Sequence, residues 1–209
     1  MNPMEPYAKV PLEDLTDDLG YEFLDLSLDA LSHYIRRAAI YMCRNGDLVS
    51  QKAHIRTCPN VVNYALEPAD EAELVALLSV KCVTPCQRHN VIRALAEPNV
   101  ILPGPVSWFA PPDELYLKAD FQGDYEAEFS VSPSRTACEI PAVLSDRWYE
   151  LLLTGARGYI HEASGKPWSD KKLSAELLTD FRHGVQQAKV ECMTGFQRGV
   201  LRLNMPRVL

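Results

Sequence analysis

The run that begins at Gly165 constrains the fold more than any other part of the chain. Gly165-Lys-Pro-Trp-Ser-Asp170 reads as a sharp turn. After it, Leu173, Leu177, Phe181, Val185, Ala188 and Cys192 recur every three or four residues, the apolar stripe of one long amphipathic helix. Ser169 is expected to cap that helix, with Asp170 placed favourably at its positive N-terminal end. A single stripe needs a partner. The nearest one precedes the turn, where Ser145 can cap a helix from Asp146 to about Ala163 with Gly165 behind it. Trp148, Leu151, Leu152, Ala156, Tyr159 and Ile160 form its stripe. The two stretches predict an antiparallel helical hairpin with Trp168 buried at its turn.

The other end of the chain is helical by the same criterion. Pro11 to Leu19 can form a short helix that stops at Gly20. Ser27 is a plausible cap for a second helix reaching about Asn45, with Gly46 as its stop. Its apolar positions are Leu28, Leu31, Ile35, Ala38, Ala39 and Met42, with Arg36, Arg37 and Arg44 mainly on the other side.

Between these ends the period changes to two. Ala53, Ile55 and Thr57 alternate with Lys52, His54 and Arg56; Val62, Tyr64 and Leu66 alternate with Asn63 and Glu67; Leu74, Ala76, Leu78 and Val80 continue the pattern. The clearest hairpin is Glu114 to Ser132. Leu115, Leu117, Ala119 and Phe121 would face Tyr125, Ala127, Phe129 and Val131 across Gln122-Gly123-Asp124, with Lys118 opposite Glu128. Most of the 15 prolines fall in or beside this block, which predicts exposed edges and firm turns. The expected fold is α+β: a three-helix bundle with an inserted antiparallel β domain and an extended C-terminal arm. The implied divisions are 1–46 and 145–195 for the bundle, 47–144 for the insertion and 196–209 for the arm.

Composition narrows the class of function. A chain of 209 residues that is 47% hydrophobic can bury a real core, and it has no apolar run long enough to span a membrane. The N-terminus lacks a charged region followed by an apolar run, so the expectation is synthesis in a reducing cytoplasm, where six cysteines do not imply disulfides. A net charge of −7 argues against non-specific nucleic-acid binding over the whole surface. The charge is uneven. Glu5, Glu13, Asp14, Asp17, Asp18, Glu22 and Asp25 crowd the first 26 residues, whereas Arg198, Arg202 and Arg207 near the end have no acid among them. The segment 196–209 also carries Phe196, Val200, Leu201, Leu203, Met205, Val208 and Leu209. It is too apolar to lie free in water without cost, and Leu201 and Leu203 alternating about Arg202 suit an arm laid on another surface. Phe196, Arg198, Leu201, Arg202, Leu203, Met205 and Arg207 are the candidate interface residues.

Chemistry is sparse. Cys82-Val-Thr-Pro-Cys86 followed by His89 offers soft ligands, but zinc wants four, and only Cys58 and His54 stand near in sequence. Cys86 with His89 lacks a helix N-terminus or an orienting carboxylate to activate a thiolate. The acids at 13, 14, 17 and 18 read as a solvated helix face rather than a cation site. No phosphate loop or dinucleotide fingerprint is present. The expectation is a protein with no catalytic residue, no cofactor and no metal.

Two pieces of the chain resemble a known family. Ile35-Arg-Arg-Ala-Ala-Ile-Tyr-Met-Cys-Arg44 is similar to the first long helix of the head-to-tail adaptors in the neck of tailed phages. Gly165-Lys-Pro-Trp-Ser-Asp170, then Phe181, Gly184, Ala188-Lys189 and Gly195-Phe196, is similar to that family's last hairpin. The central block with Cys82, Cys86 and His89 has no counterpart in it. The resemblance implies a structural virion protein, assembled in the host cytoplasm as a homo-oligomeric ring of about twelve copies in closed cyclic symmetry. It implies the portal and a downstream tail or neck protein as partners, with DNA passing through the channel without specific binding. The alternatives are a non-viral soluble protein-binding adaptor, or a metal- or thiol-dependent hydrolase that uses the β block.

Overall fold

A computed structural model describes residues 2–3, 7–58, 61–83, 92–93, 106–110, 113–118 and 123–194. The strands are β1 (Asn2–Pro3), β2 (Lys9–Pro11), β3 (Ser50–Arg56), β4 (Asn63–Glu67), β5 (Ala72–Cys82), β6 (Ile92–Arg93), β7 (Val106–Ala110), β8 (Glu114–Lys118), β9 (Asp124–Pro133) and β10 (Glu139–Pro141). The helices are α1 (Asp17–Glu22), α2 (Leu28–Gly46), α3 (Ala142–Glu162) and α4 (Lys171–Met193), with a 3-10 turn at Leu12–Leu15.

Helix α2 begins where its sequence predicts. The Ser27 hydroxyl accepts the Ala30 amide at 3.3 Å, and Leu31, Ile35, Ala38, Ala39 and Met42 are fully buried. Its end is held by Asp47, which takes the left-handed conformation and donates its amide to Cys43 O. Helix α4 is capped by Asp170 rather than Ser169, because the Asp170 carboxylate accepts the amides of both Lys172 and Leu173 at 2.9 and 3.0 Å. Helix α3 starts four residues before the expected Asp146. It needs no side-chain cap: it follows directly from β10, and the Ala142 amide donates to Ala8 O. Ser145 donates back to Ala142 O inside the helix, and the backbone kinks at Trp148. The segment expected as one helix over Pro11 to Leu19 splits into the 3-10 turn and α1.

The expected bundle with an inserted β domain does not form. The described residues make four helices and three sheets in a mixed α+β arrangement. One sheet runs β3-β9-β5-β6, a second runs β1-β4-β8-β7, and β10 pairs with β2. β1 lies parallel to β4; the other pairs are antiparallel. The central strand β9 packs on α2, and α2 in turn packs on α3. Helix residues such as Ile35, Leu152 and Phe181 and strand residues such as Ile55, Leu117 and Phe129 belong to one continuous core. A bundle needs helices that cover one another; here α2 spends part of its apolar face on the sheet.

The predicted hairpin 114–132 is also overturned. β8 and β9 follow each other in sequence but lie in different sheets. Lys118 stands opposite Val106, and Glu128 stands opposite Lys52 and Ser79. At the foot of β9, Gly123 is tied to the end of β3 instead: its amide donates to Thr57 Oγ1 and its carbonyl accepts from Thr57. The described part of the predicted inner faces survives the change of partner, since Leu115, Leu117, Tyr125, Ala127, Phe129 and Val131 are buried; Ala119 and Phe121 lie outside the described residues. Alternation fails along β5, where register shifts fall between Leu74 and Ala76 and between Leu77 and Ser79. Each extra residue changes which face the next side chain occupies.

Helices α3 and α4 pack antiparallel and close. Gly155 lies under the Phe181 ring, Gly158 under Leu178, and Gly184 against Leu151. The absence of a Cβ at these points lets the two backbones approach.

Candidate interaction surfaces

The acidic N-terminal part is fixed to the body by two polar latches. Arg157 on α3 grips both carboxylate oxygens of Glu22 at 2.6 to 3.1 Å, a bidentate pair, and the Tyr149 hydroxyl donates to Asp18 at 2.9 Å. Phe23 meets the His161 ring edge-on at 5.4 Å, and the core takes Leu12, Leu15, Leu19 and Phe23. The latches raise the pKa values of Arg157 and Tyr149. The hydrogen bond to Glu22 holds the Arg157 guanidinium charged, and desolvation, with the bond to Asp18, pushes Tyr149 up to about 12.

With the inner side of α1 committed, its outer side is exposed. Tyr21, Leu24 and Leu28 are 82%, 84% and 61% accessible, and they follow one another around the turn from α1 into α2. Asp17, Asp25 and Asp29 lie exposed among them, and no ion pair engages these three among the described residues. Leu28 was expected on the buried stripe of α2. It is exposed, although Leu31 one turn on is fully buried.

At the far end of α4, Lys189 reaches Asp47 at 2.7 Å, close to the end of α2. Val190 and Met193 are exposed there, and the helix ends at Thr194. The candidate interface residues Phe196, Arg198, Leu201, Arg202, Leu203, Met205 and Arg207 lie outside the described residues.

An open cleft of about 480 Å³ lies between the end of α3 and the start of α4. In its lining, Ser174 donates to Gly158 O at 2.8 Å, and Glu162 pairs with Arg37 at 3.0 Å. Of the sulfur and imidazole groups singled out in the sequence, Cys82 is half-buried at the end of β5 opposite Tyr125, while Cys58 and His54 are exposed. Cys86 and His89 lie outside the described residues. Among the described residues, no three His, Cys, Asp or Glu side chains gather closely enough to hold a metal. His183 is exposed on α4, as its position off the stripe predicts.

Burial pushes the Cys43 and Cys192 thiols up, and Tyr7 up to about 12. Hydrogen bonds from the Leu173 and Lys172 amides lower the Asp170 carboxyl. Each shift holds its group in the form it already has at neutral pH.

Trp168 is half-buried in the turn and packs on the core rather than lying fully enclosed between the helices. Its carbonyl accepts from His161 Nδ1 at 2.7 Å, which fixes that proton on Nδ1, and its own Nε1 is buried without a partner. A contact that the periodicity could not reveal is Arg36. It lies off the apolar stripe of α2, yet it donates to Ala137 O at 2.6 Å and ties the helix to the loop after β9.

No protein-family profile matches the chain, and a search of curated proteins finds no match. Among the described residues, no helix is long and apolar enough to cross a membrane.

Proposed function

We propose that this chain is a structural adaptor of a phage neck, a subunit of a ring of about twelve copies that joins the capsid portal to the tail. The observation that carries the reading is the division of charge and apolar surface between two ends. The acidic end, with Tyr21, Leu24 and Leu28, lies beside the end of α3. Helix α4 runs away from that end of α3, and the basic, apolar segment 196–209 follows it in sequence. Ends that differ in this way suit heterologous, head-to-tail contact, which closes into a ring when the rotation per subunit allows. The residues behind the family resemblance support it as packing residues: Ala38 and Ala39 are fully buried in α2, and Phe181 and Gly184 set the close contact of α4 with α3.

On this reading the protein performs no catalytic step, and its location is the virion neck. The net charge of −7 disfavours retention of DNA in a channel, because phosphate binding depends on neutralisation by Lys and Arg. Deleting Gln197 to Leu209 is the direct test. The truncated chain should melt at nearly the temperature of the full chain but fail to enter particles. Normal incorporation would remove the role given to the arm, and early unfolding would make that segment an intramolecular strand.

A further inference from the structure

The exposed apolar cluster of Tyr21, Leu24 and Leu28 is the least explained surface of the molecule. Single exposed apolar side chains are ordinary, but three of this size around one turn mark a surface that is covered in use. Asp17, Asp25 and Asp29 surround it and are unpaired among the described residues. An occupant should therefore be apolar and basic. The chain contains such a segment in 196–209, where Arg198, Arg202 and Arg207 are interleaved with Leu201, Leu203, Met205 and Val208 and no acid occurs.

Chain geometry leaves both the chain itself and a neighbouring copy able to supply it. Glu22 and Phe23 sit beside Arg157 and His161, near the end of α3 that faces the start of α4. Helix α4 then travels 23 residues in the opposite direction, about 34 Å at 1.5 Å per residue. A chain leaving Thr194 covers at most about 3.3–3.6 Å per residue. Arg198 can be no more than about 14 Å from that point and Arg202 no more than about 29 Å. The start of α1 lies nearer to that point than the turn after it: Asp18 meets Tyr149 in the first half of α3, where Leu151 packs on Gly184 and Arg147 lies near Cys192 at the end of α4. The head-to-tail ring assigns the contact to a neighbouring copy rather than to the chain itself.

We infer that the surface formed by Tyr21, Leu24 and Leu28 with Asp17, Asp25 and Asp29 is the docking site for segment 196–209 of an adjacent copy. This deepens the ring reading and rests on it: the apolar side chains supply the contact area, and the aspartates select the arginine-bearing segment and its direction.

The test places the photo-cross-linker p-benzoylphenylalanine at position 24 of the full chain. Isotopically heavy and light protein are mixed in concentrated solution, irradiated and mapped by mass spectrometry. The expected product joins position 24 of one isotope to a peptide within 196–209 of the other. Cross-links confined to one chain, to other peptides, or absent altogether would overturn the inference. A second arm uses sedimentation. Asp25→Arg with Asp29→Arg should weaken self-association about tenfold, as expected for two screened charge pairs, and Arg198→Asp with Arg202→Asp should restore it. Unchanged association, or loss without restoration, would count against the site, with circular dichroism confirming that the surface variants fold. The neck reading fails separately. Particles without this chain, alongside an intact cross-link between copies, would remove the neck and leave the contact; particles that carry the chain without the cross-link would do the reverse.

Discussion

Gly155 shows how one missing atom sets the spacing of two helices. A Cβ there would lie 2.7 Å from Phe181 Cε2 and under 3 Å from two more atoms of the same ring. Phe181 is fully buried, with Tyr41 and Tyr159 packed around it at centroid distances of 5.2 and 6.2 Å, so the ring has little room to retreat. Gly184 offers a contrast, because its nearest neighbour is the Leu151 Cδ1 methyl, the far end of a flexible side chain. In either helix alanine returns about 1 kcal/mol of helix propensity. At Gly155 the overpacking costs about 1–3 kcal/mol, so Gly155→Ala should melt below the parent protein. Gly184→Ala should melt close to the parent or above it. Thermal melts of the two variants side by side decide this, and equal melting temperatures would show that the Phe181 ring can move.

At the scale of the element, α4 depends on a carboxylate at its first turn. Asp170 accepts two backbone amides, the bond from Leu173 being the larger cause of its lowered pKa. A carboxyl lowered in the folded state stabilises that state above the unfolded value of about 3.9. The contribution is lost as pH falls through the lower, folded value. Asp170→Ala should therefore depress the melting temperature at neutral pH, and the gap from the parent should narrow in strong acid. Asp170→Asn should lose less, since its amide oxygen still caps. A gap that stays constant with pH would mean that the carboxylate charge adds nothing to the cap. Helix α1, only six residues long, depends on tertiary contacts: Leu19 in the core and the Arg157–Glu22 and Tyr149–Asp18 latches.

Across the whole molecule, helices and sheets share one core. Phe109 of the β4-β8 sheet meets Phe129 of the β9 sheet edge-on at 5.4 Å, and β9 lies on α2. Arg36 and Arg44 add polar ties from α2 to Ala137 and Glu73, on either side of the sheet's connections. A single shared core predicts that its parts open together. Unfolding followed by far-ultraviolet circular dichroism and by tryptophan fluorescence should trace one coincident transition. Two separated transitions would show that the β region has a core of its own.

The sequence by itself determined the long helices and the inner faces of β3, β8 and β9, but not β2, β7 or β10, the alternation of β5, or the exposure of Leu28 and Leu173. Ser27 caps α2, the inner faces of β3, β8 and β9 are buried as their alternation requires, and Phe181, Val185 and Ala188 line the inner side of α4. The basic, apolar character of 196–209, one half of the proposed contact, was legible there too. Only the tertiary structure decided which neighbour covers each face. A period of two records that Tyr125, Ala127, Phe129 and Val131 are turned inward; it does not record whether β8, or β3 and β5, lies alongside. That choice depends on contacts between distant segments, such as Thr57 with Gly123, and on the space left by the helices. The other half of the proposed contact has the same origin. Leu28 belongs to the apolar repeat of α2 in sequence, yet it is exposed while Leu31 and Ile35 of the same repeat are buried.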